Sequence, residues 1–330
     1  MSRVPAATGR TVTVLYVGGT GRSGTTLLER IVAQASGFCA VGELAFLWER
    51  GLRAGERCGC GEPFGGCPFW TRVGEQAFGG WDALDLDEVL ALQRRVDRHR
   101  YLPAMLAPRL APAYRRRLER YAAILQRVYQ AVSAVSGSSV VVDSSKDASH
   151  AYLLRHVPGV DLRLVHLVRR SHGVAYSWTK KVRKPEVAGS EDYMDRQPPA
   201  VTALYWMGDN LLLDGLRLLR VPSRGLRYES LVARPREHAG AVLRHADPAL
   251  GGLDLGFIGD GHVDLTADHT VAGNPVRFRR GRLDLRADDE WSRAMPRRQR
   301  LVVTAVTWPL LLRYGYRLGG PDREGPGRPG

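Results

Sequence analysis

Lysine is almost absent from this sequence. Only Lys146, Lys180, Lys181 and Lys184 occur among 48 basic residues in a chain of 330. Arginine therefore carries nearly all of a formal net charge of +14. Such a bias follows coding composition as readily as function, so the arginines say little singly, whereas each lysine stands out. Long apolar runs are also missing: no stretch reaches the roughly 18 residues of a membrane span. The first ten residues, MSRVPAATGR, lack the apolar core of a secretory leader. The expectation is a soluble, cytoplasmic protein with no membrane span. A net positive charge favours anionic partners. The aromatic residues, however, do not interleave with basic runs as they do on RNA-binding sheets, which leaves nucleic acid without a specific signature.

Cysteine is scarce and clustered. Cys39 sits in an apolar run and reads as a small core residue. Cys58, Cys60 and Cys67 fall in the glycine-rich stretch RCGCGEPFGGCPFW. Three close thiols are one ligand short of a tetrahedral metal site, and no histidine lies in this stretch. Two readings stand, a metal site and a compact loop with free or redox-labile thiols, and the expectation is no metal.

What is present is an alternation of short apolar runs with helix-compatible segments. Residues 11–17, 140–142, 162–168 and 225–228 read as buried parallel strands. Residues 25–35, 148–156, 173–182 and 231–245 follow them as helices. This order predicts a three-layer α/β/α fold around a mostly parallel sheet. Residues 82–135 read as helices with arginine-rich faces. Residues 184–220 begin polar, pass Pro198-Pro199 and end in an apolar helix near Leu219. No linker interrupts the chain, so residues 1–318 read as one domain. Residues 58–135 form an insertion on its acceptor side, and residues 319–330 form a disordered tail.

The strongest motif is GGTGRSGTT, residues 18–26, directly after the first strand. From Gly19 it has the spacing of a P-loop, with Thr25 where a nucleotidase carries lysine. Its glycines let successive N–H groups turn onto an anion, and the following helix adds its positive end. Thr25 offers a hydrogen bond without charge, which suits a short anion handled without metal; Arg22 supplies charge from inside the loop. A second strand ends in Arg169-Arg170, so Arg169 lies at the carboxyl edge of the sheet, where ligands bind in open α/β folds. Ser177 follows two helical turns later. Glu43, in CAVGELAF, returns to the top of the sheet above the loop. Lys146, in VVVDSSKDASH, lies just past a core strand, where an ammonium reaches over the sheet edge.

These windows resemble the PAPS-dependent sulfotransferases, most closely in the carbohydrate and tyrosylprotein branches. PAPS is 3′-phosphoadenosine 5′-phosphosulfate. The run GRSGTTLLERIV resembles their 5′-phosphosulfate loop, which implies donor contacts from Gly21, Arg22, Ser23, Gly24, Thr25 and Thr26. The Arg169/Ser177 pair resembles the grip on the 3′-phosphate. Gly42-Glu43 matches the tyrosylprotein branch's general base, and Lys146-Asp147 matches its leaving-group lysine. LRYESLVARP implies Tyr228 near the adenine. GNPVRFRRG resembles the late basic loop, with Asn274, Arg277 and Arg279 as contacts.

The resemblance implies sulfuryl transfer to the hydroxyl of a small-molecule or glycan-like acceptor. Glu43, Lys146 and Arg22 would be catalytic, adenosine 3′,5′-bisphosphate would be the other product, and no metal is required. Residues 58–135 match nothing in the better-known branches, so the acceptor stays open, as does the oligomeric state. Two alternatives remain. Apolar residues ending in Asp143 suit a metal-holding carboxylate, and with a P-loop upstream they allow a small-molecule kinase using ATP and Mg²⁺. A basic nucleic-acid-binding protein on the same scaffold is the non-enzymatic one. His150 is a second candidate base, on a segment that suits a helix face.

Overall fold

The computed structural model describes residues 11–182, 193, 195–286 and 288–318. Lys184, the polar stretch around it and the tail after residue 318 lie outside the described residues.

Five parallel strands form the central sheet: β1 (Val12–Gly18), β2 (Phe38–Gly42), β3 (Val140–Lys146), β4 (Val160–Val168) and β5 (Ser223–Arg227). Their order is β2-β3-β1-β4-β5. The sheet is covered on both faces, and side chains alternate between two cores. On β1, Val12, Val14 and Tyr16 join one core while Leu15 and Val17 join the other. Leu162 and Leu164 of β4 likewise oppose Val165 and Leu167. Burial on both faces is why these strands read as continuous apolar runs instead of alternating ones. The fold is α/β, with helices on both sides of a parallel sheet.

The first core is deepened by helices Pro68–Phe78, Leu86–Val96 and Pro112–Ser136, which stack on one sheet face. The second is closed by helices Thr25–Val32 and Pro235–Ala246. The sequence reading of one helix over 231–245 is corrected here. The chain forms Tyr228–Ala233, breaks at Arg234 and restarts at Pro235, which stands in the first turn of the second helix. Proline has no N–H for a continuous ladder but suits a helix start. β2 was visible only as a short apolar run. A small antiparallel sheet, β6 (Ile258–Gly259), β7 (His262–Leu265) and β8 (Gly281–Asp284), and the helix Arg297–Arg313 were not anticipated.

Among the described residues, no helix is long and apolar enough to cross a membrane.

At the carboxyl edge, β1 leads into residues 18–24 and then helix Thr25–Val32. β2 and β3 flank the same place. Gly42 has φ +77°, and a Cβ there would sit 2.2 Å from the Val271 carbonyl oxygen, so only glycine lets the backbone of 271 approach. That approach extends the edge of β2: Val271 N–H donates to Val41 O at 2.8 Å, and Glu43 N–H donates to Val271 O at 2.8 Å.

Candidate active site

One cavity of about 800 Å³ opens over the carboxyl edge of the sheet, within the size range of small-ligand sites. It is lined by Gly21, Arg22, Gly24, Thr25, Thr26, Glu43, Lys146, Arg169, Ser177, Tyr228 and Asn274, among others. Six sequence windows, from Gly21 to Asn274, thus converge on one space.

The glycine-rich loop forms its floor. Each glycine is held there by a close neighbour. A Cβ on Gly19 would lie 2.5 Å from Leu167 O, one on Gly21 would lie 2.9 Å from the Trp178 ring, and one on Gly24 would lie 2.5 Å from the Tyr228 ring. Gly24, at φ +93°, precedes helix Thr25–Val32, whose first turn has no acidic residue and no side-chain cap. Its N–H groups and positive end are therefore available to an anion. Arg22 has φ +72° and stacks over Trp178 at 5.2 Å. Burial, then the charge of Arg169, lowers its pKa from the usual arginine value. Two of its nitrogens, Nε and one terminal nitrogen, are buried without a hydrogen-bond partner, and so is Ser23 Oγ. Ser23 is not among the lining residues. Buried donors left unsatisfied are costly, and an anion in the loop would relieve them.

Arg169 follows β4 directly. Its guanidinium donates to Arg22 O at 2.9 Å, pairs with Asp288 at 2.6 Å and lies 4.8 Å over the Tyr228 ring. Ser177, on helix Ser171–Thr179, lines the same side.

On the opposite side, Glu43 is 4 % exposed, and its carboxylate contacts the Lys146 ammonium. Gly273 packs between Glu43 and Thr26: its Cβ position is 3.5 Å from Glu43 Oε1 and 3.7 Å from Thr26 Oγ1. The carboxylate therefore stands beside the first turn of the loop helix. Lys146 pairs in register with Gly18 across a bulge between β1 and β3. It adopts φ +58°, an uncommon region for a lysine, and sparsely populated backbone of this kind clusters at functional sites.

Two buried residues on helix Thr25–Val32 hold these parts together, and the sequence reading did not single them out. Glu29 accepts from Gly42 N–H at 2.6 Å and from Ser144 Oγ at 2.6 Å, tying the helix to the ends of β2 and β3. Burial pushes its carboxyl well above the usual range. Arg30 pairs with Asp268 at 2.8 Å and donates to Val276 O at 2.8 Å. Their signal was present: two charged residues, adjacent in an apolar helix, cannot both face water if its flanking positions are core.

Arg277 does not line the cavity. It is fully buried and donates to Thr270 O at 2.8 Å and Arg57 O at 2.7 Å, so it braces the late loop from behind. Arg279 is not a lining residue either, and its carbonyl accepts from Arg30. Asn274 is the member of that loop's predicted set that reaches the cavity. Phe46 and an Arg50–Glu56 ion pair, held at 2.7 Å, line it on the side of Glu43, and none was singled out from sequence. No residue between 58 and 135 lines it.

Asp143 is fully buried and accepts from Tyr129 at 2.5 Å and from Ser145 Oγ at 2.5 Å. His150 is fully buried too, with Nδ1 2.6 Å from Asp97 Oδ2 and Nε2 3.8 Å from Asp143 Oδ2. Neither lines the cavity. Burial alone would lower the His150 pKa, but the charges of Asp97, Asp143 and Asp147 and the Asp97 hydrogen bond outweigh it and raise it to about 8. The raised folded value means this group stabilises the protein fully below its unfolded pKa of about 6.5, and the contribution is lost as pH rises through about 8. Urea midpoints at pH 6 and pH 9 are expected to show a loss of about 2 kcal/mol that is missing from His150→Asn.

No family model matches this chain, and no curated protein matches it in sequence. Among solved structures, it is similar to a sulfotransferase domain from the curacin biosynthetic pathway. The identity is 16%, 94% of this chain and 100% of that chain are covered, and the TM-score is 0.48. It is also similar to a sulfotransferase domain from the Synechococcus PCC 7002 olefin synthase. There the identity is 17%, coverage is 92% of this chain and 96% of that chain, and the TM-score is 0.39.

Proposed function

We propose that this chain is a sulfotransferase that moves a sulfuryl group from PAPS to an acceptor hydroxyl. The observation that carries this reading is the convergence, on one cavity, of an anion-ready glycine loop, a Glu–Lys pair beside it, and a separate Arg/Ser pair. A donor with phosphate groups at both its 5′ and 3′ positions needs two such anion sites. In this reading the 5′ end lies on residues 21–26, the 3′-phosphate between Arg169 and Ser177, and the adenine near Tyr228. Asn274 adds a contact from the late loop.

The reaction is an in-line displacement. Glu43 takes the acceptor proton as the acceptor oxygen bonds to sulfur. The bond from sulfur to the 5′-phosphate oxygen breaks, and adenosine 3′,5′-bisphosphate leaves. Lys146 and Arg22 stabilise charge growing on the departing oxygen, and all atoms balance without a metal. Phe46 and the Arg50–Glu56 pair, on the side of Glu43, face the acceptor.

The kinase reading loses support from Asp143, whose carboxylate is sealed under Tyr129 and Ser145 and away from the cavity. The test compares thermal stabilisation by adenosine 3′,5′-bisphosphate, by ATP with Mg²⁺ and by AMP. A ligand specific to the folded state adds about 2.7 kcal/mol at a hundredfold excess over its dissociation constant. Stabilisation by the bisphosphate and not by AMP supports the donor site; stabilisation by ATP with Mg²⁺ alone overturns it.

Asp288 gives a sharper check. Its carboxylate occupies the Arg169 guanidinium that the 3′-phosphate requires, at a partly exposed position. Removing a competing ion pair of this exposure is worth up to about 1 kcal/mol. Calorimetric titration of Asp288→Asn is expected to show bisphosphate binding tightened about two- to fivefold, with AMP binding unchanged; equal tightening of both ligands would separate Arg169 from the 3′-phosphate.

A further inference from the structure

The cysteine-rich stretch lacks a fourth ligand in sequence but finds one in space. His269, 202 residues beyond Cys67, places Nδ1 3.4 Å from Cys67 Sγ and 3.8 Å from Cys58 Sγ. Cys60 Sγ lies 3.7 Å from Cys67 Sγ, and all four ligand atoms lie within 4.8 Å of one another. A tetrahedral zinc ion, with Zn–S near 2.3 Å and Zn–N near 2.0–2.1 Å, demands S···S distances of about 3.8 Å and S···N distances of about 3.6 Å. The three separations, 3.4 and 3.8 Å for S···N and 3.7 Å for S···S, lie close to those values. We propose that Cys58, Cys60, Cys67 and His269 bind one structural zinc ion.

The surroundings are built for it. Cys58 N–H donates to Glu62 O and Gly61 N–H to Cys58 O, both at 2.8 Å, which curls the chain into a tight knuckle. The His269 ring stacks on Phe69 at 4.6 Å and 7°, and its carbonyl accepts from Trp70 Nε1 at 2.8 Å, which fixes the ligand's orientation. Cys58 and Cys67 are fully buried. Binding Zn²⁺ to three thiolates and a neutral imidazole releases three thiol protons and leaves the site at net −1. The Arg280 guanidinium, donating to Cys60 O at 2.5 Å, sits beside that charge.

Four protein ligands close the coordination shell, so the ion is structural and takes no part in group transfer. Its position gives it a task. His269 opens the strap whose Val271 pairs beside Gly42 and whose Gly273 packs against Glu43 and Thr26. The Gly59 N–H donates to Thr270 O at 3.0 Å in the same strap. The zinc therefore pins the knuckle to the segment that shapes the Glu43 side of the cavity.

The test is elemental analysis of the full chain, purified without chelator or a histidine tag, joined to cobalt substitution. About one zinc per chain is expected, with reconstituted Co²⁺ giving the intense visible bands of a tetrahedral sulfur-rich site. Cys67→Ser is expected to lose metal affinity at least tenfold, Cys39→Ser to keep it, and His269→Cys to retain cobalt with stronger thiolate charge transfer. Should Cys67→Ser not fold, chelator treatment of the wild-type chain, followed by Co²⁺ readdition, gives the same readout. Metal well below one equivalent with no tetrahedral cobalt spectrum overturns the site. So does an intact mass lowered by two hydrogens, which reports a disulfide within the knuckle.

Discussion

Glu43→Gln is expected to lower turnover by about 10²–10⁴ while leaving the affinity for adenosine 3′,5′-bisphosphate within about threefold. The substitution keeps the shape and the hydrogen-bonding reach of the side chain, and it does not touch the Glu43 N–H bond to Val271 O that holds the loop. What it removes is the capacity to accept a proton at a position 4 % exposed, beside Thr26 and Lys146. A donor gripped at two other anion sites has no reason to notice the change. Single-turnover rates with PAPS and an acceptor, set against calorimetric affinities for the bisphosphate, separate the two effects. Unchanged turnover would remove Glu43 as the base. His150 is a poor substitute, because its ring is enclosed by Asp97 and Asp143 and reaches no cavity surface.

β1, β3 and β4 were visible in sequence because burial on both faces leaves a continuous apolar run, and β5, largely polar, was read only in part from residues 225–228. β3 runs on to Lys146 through Asp143, Ser144 and Ser145, beyond the apolar run at 140–142 that read as the strand. These polar residues are buried in the strand because each has a partner: Tyr129, Glu29 and the Ala45 N–H, respectively. No linear pattern announces a polar strand end satisfied from elsewhere. β2 is five residues that end at Gly42, too short for periodicity to declare it. The glycine loop, Glu43, Arg169 and Tyr228 directly follow strands and Lys146 ends one, so sheet topology brings them to one edge, while Ser177 reaches the same cavity from the second turn of the helix after β4. Arg277 shows where that reasoning stops. An arginine in a basic loop looks solvated, and its burial against Thr270 and Arg57 depends on a strap 220 residues from Arg57. His269 is the same case in reverse: the missing ligand of the cysteine cluster lay on that strap, beyond the reach of any spacing rule.

Lys146→Ala is expected to lower turnover by about 10²–10³ with donor affinity changed much less, as for loss of a preorganised electrostatic donor. The lysine is paired with Glu43, so a loss of rate has two readings: a leaving oxygen left unstabilised, or a base deprived of the neighbour that positions its carboxylate. The double substitution separates them. If Lys146 serves only Glu43, then Lys146→Ala costs nothing further in a Glu43→Gln background. If it serves the leaving oxygen, most of the penalty survives there, although paired residues do not add fully. Lys146→Gly supplies the structural control. The residue holds φ +58°, which glycine adopts without strain, so Lys146→Gly removes the ammonium and relieves the backbone together. The glycine variant is expected to be at least as stable as the alanine variant and equally slow. An alanine variant that is slow only because it is destabilised, beside a glycine variant with normal turnover, would make Lys146 a backbone element and remove it from the chemistry.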